Sequence, residues 1–413
     1  MCAMRMKTDD RNNMERDRAE GAKEVVLHAP KKKPHVLLIY RKMIPSVRLC
    51  GHCQMEYLAG QGAVEYRAVQ EMKLKSSDLD WTDAVLLGRL DNWYERRLAE
   101  LLHESGRYLV YIIDDDLLSI PPEISSAAYY NHPHVQKNIR AMIALSDAVL
   151  SPSPILLNKY ADGKLAIQIE EPAIDPVSYK PHDPDAPVRI GFAGSIDRTG
   201  DIEHILKDAL IQIRQTYGDR VMFEFFGAIP SFAKELGARC IPYCDSYDEY
   251  RRTLNALEWD IGLAPMPDTP FHACKHYNKF VEYAAAGVIG MYSDVMPYCR
   301  LREFRDDLSV LVNNESNAWV NALQAMIENK QLLEHRRQLV SEYAAQKMSV
   351  DISAQSLLAQ LIKIKVDKAR GHKFFYMLIS AKLFALFGRV YHTIYSRITK
   401  RIAKEEDKYK HDK

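Results

Sequence analysis

The chain has 413 residues, enough for two or three domains, and 47% hydrophobic with 27% charged residues is the balance of a globular protein with sizeable cores. A net charge of +1 removes any global electrostatic argument for a nucleic-acid partner. Seven scattered cysteines, an odd number, argue against a secreted disulfide framework, and no uncharged apolar run reaches the roughly 18 residues of a membrane span, so the cytoplasm is the expected compartment.

Residues 1–33 are polar and charged and read as a disordered leader. From there, "HVLLIY" (35–40) predicts a buried strand, and "RLCGHCQMEYLAGQG" (48–62) a helix ended by glycines. Strands are expected over 63–69, 83–89, 108–116 and 147–153, with helices over 91–105, ended by Gly106, and near 134–146. Continuous apolar strands alternating with helices indicate a parallel sheet covered on both faces. Five prolines in the nineteen residues 171–189 cannot continue a helix or a central strand, so this stretch is a linker.

The alternation then restarts. A strand and glycine turn over 188–195 precede a helix at 201–217, a strand at 221–227, a helix at 246–257 and a strand at 260–266. A helix over 275–286, strands over 288–293 and 308–314, and a helical stretch over 316–362 complete the second half. The expected class is α/β, with two Rossmann-like domains facing a cleft: 34–170, a linker at 171–187, and 188–362. The tail, 363–413, differs. No acidic residue occurs from Gly371 to Lys404, and Leu383, Phe387, Val390, Ile394, Ile398 and Ile402 recur at three- and four-residue steps. This basic amphipathic helix suits either an anionic membrane surface, through 371–404, or packing back on the first domain.

In "HACKHYNKFVEYAAAGVIGMYSD" (272–294), Lys275, Lys279 and Glu282 are spaced to share one helix face, while Phe280, Val281, Ala284 and Ala285 face a sheet and Gly287 ends the helix. A helix start attracts anions, lysines in its first turns add to that, and a glutamate further along can accept hydrogen bonds from paired sugar hydroxyls. The pattern suits a nucleotide. An i, i+3 ion pair on a solvated face is the competing explanation, and elementary physics leaves the two open.

The stretch "DIGLAPMPDTPFHACKHYNKFVEYAAAGVIGMYSDVMPY" (260–298) resembles the donor-site segment of GT-B glycosyltransferases of the glycosyl transferases group 1 (family 4-like) class. The resemblance extends to "VRIGFAGSIDRTGDIEHILKDAL" (188–210) and "DAVLLGRLDNWYERRLAELLHESGRYLVYIIDDDLLSIPP" (83–122), and so spans about 35 to 362. It implies transfer of a sugar from a nucleotide-sugar donor to a glycan or lipid-linked acceptor in surface polysaccharide or glycolipid synthesis, with retention of configuration. It places Glu282 on the ribose, Lys275 and Lys279 on the donor diphosphate as catalytic residues, and Gly194 and Ser195 at the turn approaching the phosphates. No cofactor and no metal are expected beside the nucleotide-sugar, since lysines and backbone N–H groups neutralise the leaving charge. Two positions depart from the family pattern. Cys274 stands where the first glutamate of E-x7-E belongs, and Ser195 with "RTG" (198–200) replaces the Arg and Lys-Gly of the phosphate loop. The missing glutamate favours a second reading, a catalytically silent nucleotide-binding or assembly protein with the same fold.

Three other motifs have competing explanations. "IIDDD" (112–116) could hold a divalent ion through Asp114 and Asp116, as in metal-dependent transferases, or form an acidic strand end; the preferred reading puts Asp114 and Asp115 at the cleft rim with Arg48 and Arg89 on the acceptor side. "CGHC" (50–53) has thioredoxin-like spacing but lacks the preceding tryptophan, and a zinc site from Cys50, Cys53, Cys240 and Cys244 would have to join two halves of the chain. His52 reads as structural, with the cleft as its alternative position.

Overall fold

The computed structural model describes residues 33–304 and 307–361. The leader, apart from Lys33, and the basic tail from 363 onward lie outside the described residues. The first half forms a six-stranded parallel sheet from β1 (His35–Tyr40), β2 (Glu65–Gln70), β3 (Ala84–Gly88), β4 (Tyr108–Ile112), β5 (Ala148–Ser151) and β6 (Leu165–Gln168), in the order β2-β1-β3-β4-β5-β6. The second is built from β7 (Val188–Gly194), β8 (Val221–Gly227), β9 (Arg239–Ile241), β10 (Ile261–Ala264), β11 (Ile289–Ser293) and β12 (Ser309–Val312), in the order β12-β11-β10-β7-β8-β9. The strand pairings are parallel throughout.

Because successive side chains point to opposite faces, an apolar strand feeds two cores at once. Leu37, Ile39, Val85, Leu87, Leu109 and Tyr111 pack on one side with the helices Trp93–Glu104 and Pro133–Leu145. Val36, Leu38, Leu86, Val110 and Ile112 pack on the other with the helix Cys53–Gly60. Helix Trp93–Glu104 begins in a capping box, where Asn92 Oδ1 accepts from Glu95 N at 2.9 Å and Glu95 Oε2 accepts from Asn92 N at 2.9 Å.

The strand β6 and the strand β9 are absent from the sequence reading. Both are short outer strands, and the exposed Arg239 and Cys240 give β9 no apolar run to recognise. The expected helical stretch 316–362 is three helices, Ser316–Glu328, Lys330–Lys347 and Val350–Leu361. The last does not belong with the second half, to which the sequence boundary at 362 assigns it. Ala354, Leu357 and Leu358 bury against Val36, Leu58 and Ile167 of the first half, and Gln54 Nε2 donates to Ser353 Oγ at 3.0 Å. An apolar stripe specifies burial but not which sheet it covers, so periodicity alone could not place this crossing.

In parallel sheets the strands' carboxyl ends share one edge, where ligands collect. Here the two carboxyl edges face one another. Arg48, beyond β1, donates to Asp248 at 2.8 Å, and Ser125, beyond β4, donates through Oγ to Asp197, beyond β7, at 2.9 Å.

Candidate functional site in the crevice

The chain leaves β10 and forms a short helix, Pro270–Ala273, whose cap Thr269 accepts from His272 N at 3.2 Å. It then breaks over Cys274–Tyr277 before the helix Asn278–Ala285. The expected single helix 275–286 therefore starts later, and Lys275 lies outside it. Lys275, Lys279 and Glu282 do not share one face. The break has a tertiary cause. His276 Nε2 lies 3.3 Å from Glu170 Oε2 and its Nδ1 2.7 Å from Asn278 Oδ1, while the Tyr277 hydroxyl donates to Glu170. These bonds replace the turn that a continuous helix would make.

Lys275 Nζ instead crosses to Asp115 Oδ1 at 2.7 Å and lies 4.6 Å from the centre of the Phe271 ring. Lys279 Nζ turns to Glu282 Oε2 at 2.5 Å, the i, i+3 pair. That carboxylate is shared, because the Tyr250 hydroxyl donates to the same oxygen at 2.7 Å and Tyr250 stacks on Phe226 with centroids 5.1 Å apart. Helix Asn278–Ala285 ends at Gly287, whose φ of +67° is the left-handed conformation that glycine adopts at least cost.

At the end of β7, Gly194 O accepts from Ala228 N at 3.0 Å, and a Cβ on Gly227 (φ +86°) would lie 2.2 Å from that same oxygen. Two glycines thus let the ends of β7 and β8 close on each other. Ser195 is exposed on this turn. Arg198, the first residue of the "RTG" that stands in the phosphate loop and given no donor role from sequence, reaches the crevice: its Nη2 donates to Pro265 O at 2.5 Å and its Nε lies 3.0 Å from Asp201. The signal available for it was its place as the first basic residue after the glycine turn. Burial, together with the positive charges of Arg198 and Lys275, lowers His272 to about 4, so the imidazole is neutral beside two cations.

On the opposite edge the acidic run is divided among cations. Arg89 lies 3.1 Å from Asp114 and 3.6 Å from Asp115, and Asp116 accepts from Lys159 at 2.6 Å and from the Tyr160 hydroxyl. Against burial, which raises it, Lys275 and Arg89 hold the Asp115 carboxyl at about 2. Asp114 and Asp116 are committed to different cations, an arrangement unlike a shared metal site. Arg48 does not join Asp114 or Asp115 but pairs with Asp248. Among the described residues, no three His, Cys, Asp or Glu side chains are grouped to hold a metal, and Cys50, Cys53, Cys240 and Cys244 do not gather.

Burial pushes the Cys50 thiol well up and Cys53 to about 12, so neither is a thiolate near neutrality and the redox reading of "CGHC" has no chemical support. His52 is structural, with Nδ1 2.8 Å from the Tyr66 hydroxyl. Cys274 is 5% exposed and packs with Phe271 into the first half's core, its Sγ donating to Pro270 O at 3.3 Å and lying 4.0 Å from Asp116. A glutamate there would bury a second carboxylate beside Asp116, which accounts for the departure at this position.

The linker contributes a residue that its proline-rich context hides. Glu171, just past β6, is 3% exposed, accepts from Cys50 Sγ at 3.1 Å and lies 3.8 Å from His276 Nδ1. Burial pushes it up to about 7, with His276 opposing.

No protein-family model matches this sequence, and no curated protein matches it. Solved structures do match its fold. HepE from Anabaena, in complex with UDP and glucose, superposes at a TM-score of 0.52 and 15% identity, covering 80% of this chain and 99% of that one. A glycosyltransferase from Rickettsia africae ESF-5 gives 0.55 at 12% identity over 81% and 100% of the two chains. Sucrose-phosphate synthase from Thermosynechococcus elongatus gives 0.55 at 12% over 80% and 98%. The fold is GT-B, two parallel-sheet α/β halves facing a crevice.

Proposed function

We propose that this chain is a glycosyltransferase that moves a sugar from a nucleotide-sugar donor to a glycan or lipid-linked acceptor, without a metal and with retention of configuration. The observation that carries the reading is the pair of cations, Arg198 and Lys275, at the carboxyl edge of the second sheet beside the Gly194–Ser195 turn. A diphosphate placed there meets both charges, and Lys275 exchanges Asp115 for a phosphate oxygen. As the bond from sugar to phosphate breaks, negative charge grows on the departing nucleoside diphosphate, and fixed cations at that point lower the barrier without a metal ion. Glu282 accepts ribose hydroxyls. Lys279, bonded to Glu282, holds that carboxylate in place and does not need to reach the phosphates. Asp114, Asp115 and Arg89 line the acceptor side. Retention and the link to surface polysaccharide or glycolipid synthesis rest on the family resemblance, and the basic stretch 371–404 would bring the enzyme to a membrane-borne acceptor.

The buried Cys274 favours a second reading, a nucleotide-binding assembly protein without transferase activity. Incubating the protein with UDP-, GDP- and TDP-sugars and measuring released nucleoside diphosphate separates the two. Turnover of one donor supports the transferase; binding without turnover in the presence of glycan and lipid acceptors supports the alternative.

A further inference from the structure

We propose that Glu171 is a sugar-binding residue of the crevice, its second carboxylate oxygen accepting a hydrogen bond from a hydroxyl of the transferred sugar. The inference rests on the donor reading above. It starts from a contrast among the acidic groups at the crevice. Asp115 is held by Lys275 and Arg89, Asp116 by Lys159 and Tyr160, and Asp114 by Arg89. Glu282 is held by Lys279 and Tyr250, and Glu170 by His276 and Tyr277. Glu171 has a thiol, a weak donor, on Oε1 at 3.1 Å, while its buried Oε2 faces His276 Nδ1 at 3.8 Å, beyond hydrogen-bond length, and has no hydrogen-bond partner among the described residues.

An unmet acceptor on a buried carboxylate costs stability, and folds that retain one generally use it. The placement fits a ligand held between the halves. Glu171 follows β6 at the carboxyl edge of the first sheet, and after burial the groups that act on its charge are His276, Cys50, Asp114 and Glu282, drawn from both edges of the crevice. His276 directly follows Lys275 in the donor-side segment and its Nδ1 lies 3.8 Å from Glu171 Oε2, so Glu171 borders the segment that carries the diphosphate cation. The backbone is fixed from behind, where Ser353 Oγ donates to Glu170 O at 2.6 Å and Ala173 N donates to Met348 O at 2.7 Å. The thiol partner is fixed too, because Gln54 Nε2 donates to Leu49 O at 2.6 Å in the Cys50 loop. A rigid acceptor aimed at one hydroxyl is a specificity device, since sugars lacking that hydroxyl leave it unpaired.

The test compares the full chain with Glu171→Leu and Glu171→Gln by calorimetry. The probes are UDP, GDP and TDP, and UDP-glucose, GDP-mannose and TDP-glucose. The expected result is unchanged nucleoside diphosphate affinity, within twofold, with at least tenfold weaker binding of the matching nucleotide-sugar by Glu171→Leu. Thermal melting checks folding, and if Glu171→Leu does not fold, Glu171→Gln carries the comparison with an expected loss of at least fivefold. Equal losses for diphosphate and nucleotide-sugar would make Glu171 a structural clamp and overturn the proposal, as would no loss for either. Wild-type protein that binds no nucleoside diphosphate overturns the donor reading itself. Wild-type protein that binds the diphosphate but gains nothing from the sugar overturns only the role of Glu171.

Discussion

Lys275 Nζ and Asp115 Oδ1 lie 2.7 Å apart, joining the loop before the helix Asn278–Ala285 to the end of β4 across the crevice. The pair neutralises the cation that the proposed donor diphosphate would take up. Asp115→Asn removes the competitor, and nucleoside diphosphate affinity should rise several-fold in a titration against wild type. At neutral pH Asp115→Asn should lower stability by about 2 kcal/mol, the order that a carboxyl held at about 2 against roughly 3.9 corresponds to.

The same pair sets an acid-dependent contribution. Asp115 has its folded pKa depressed to about 2, below the ordinary value of roughly 3.9, so its stabilisation is complete above about pH 4 and is lost as pH falls through about 2. Unfolding curves of wild type and Asp115→Asn should therefore converge between about pH 4 and pH 2 and keep a constant offset from pH 5 to 7. An offset that grows toward low pH contradicts the assignment.

If Glu282 binds the ribose, its loss matters only while the ribose hydroxyls are present. Glu282→Ala should bind the nucleoside diphosphate about tenfold more weakly than wild type, while the 2′,3′-dideoxy nucleotide should bind both proteins equally. Lys279→Ala should give a smaller loss of the same kind, with kcat less affected than donor KM. Equal weakening of the dideoxy nucleotide by Glu282→Ala would place the carboxylate elsewhere.

The crossing helix Val350–Leu361 makes a prediction about folding. Leu357, fully buried among first-half side chains, should cost about 2–5 kcal/mol on replacement by Ala, although it lies far along the sequence from that half's strands. Urea unfolding followed at Trp81 and Trp93 of the first half measures it.

Alkylation followed by peptide mass spectrometry should label the exposed Cys240 rapidly and leave Cys50 and Cys53 unmodified until the protein unfolds. Rapid modification of Cys50 or Cys53 would restore the redox reading.

Most of the two sheets was legible in sequence because fully buried parallel strands are continuous apolar runs. The strand β9 was not, because its residues stay half outside the core. Helix periodicity runs through 275–286 without a breaker, and bonds from His276 and Tyr277 to Glu170, at the distant end of the first half, displace its start. Arg198 and Glu171 were hidden for a related reason. One sits just past the expected turn and the other in a proline-rich stretch that reads as solvated, and both are brought to the crevice by tertiary packing that local pattern does not encode.

Calorimetric titration of UDP, GDP and TDP into wild type, Arg198→Ala and Lys275→Ala measures whether Arg198 and Lys275 together hold a nucleoside diphosphate. At least one diphosphate should bind wild type, and each variant should bind it at least tenfold more weakly while melting cooperatively. Unchanged affinity in both variants, or wild-type protein that binds none of the three, would contradict that role.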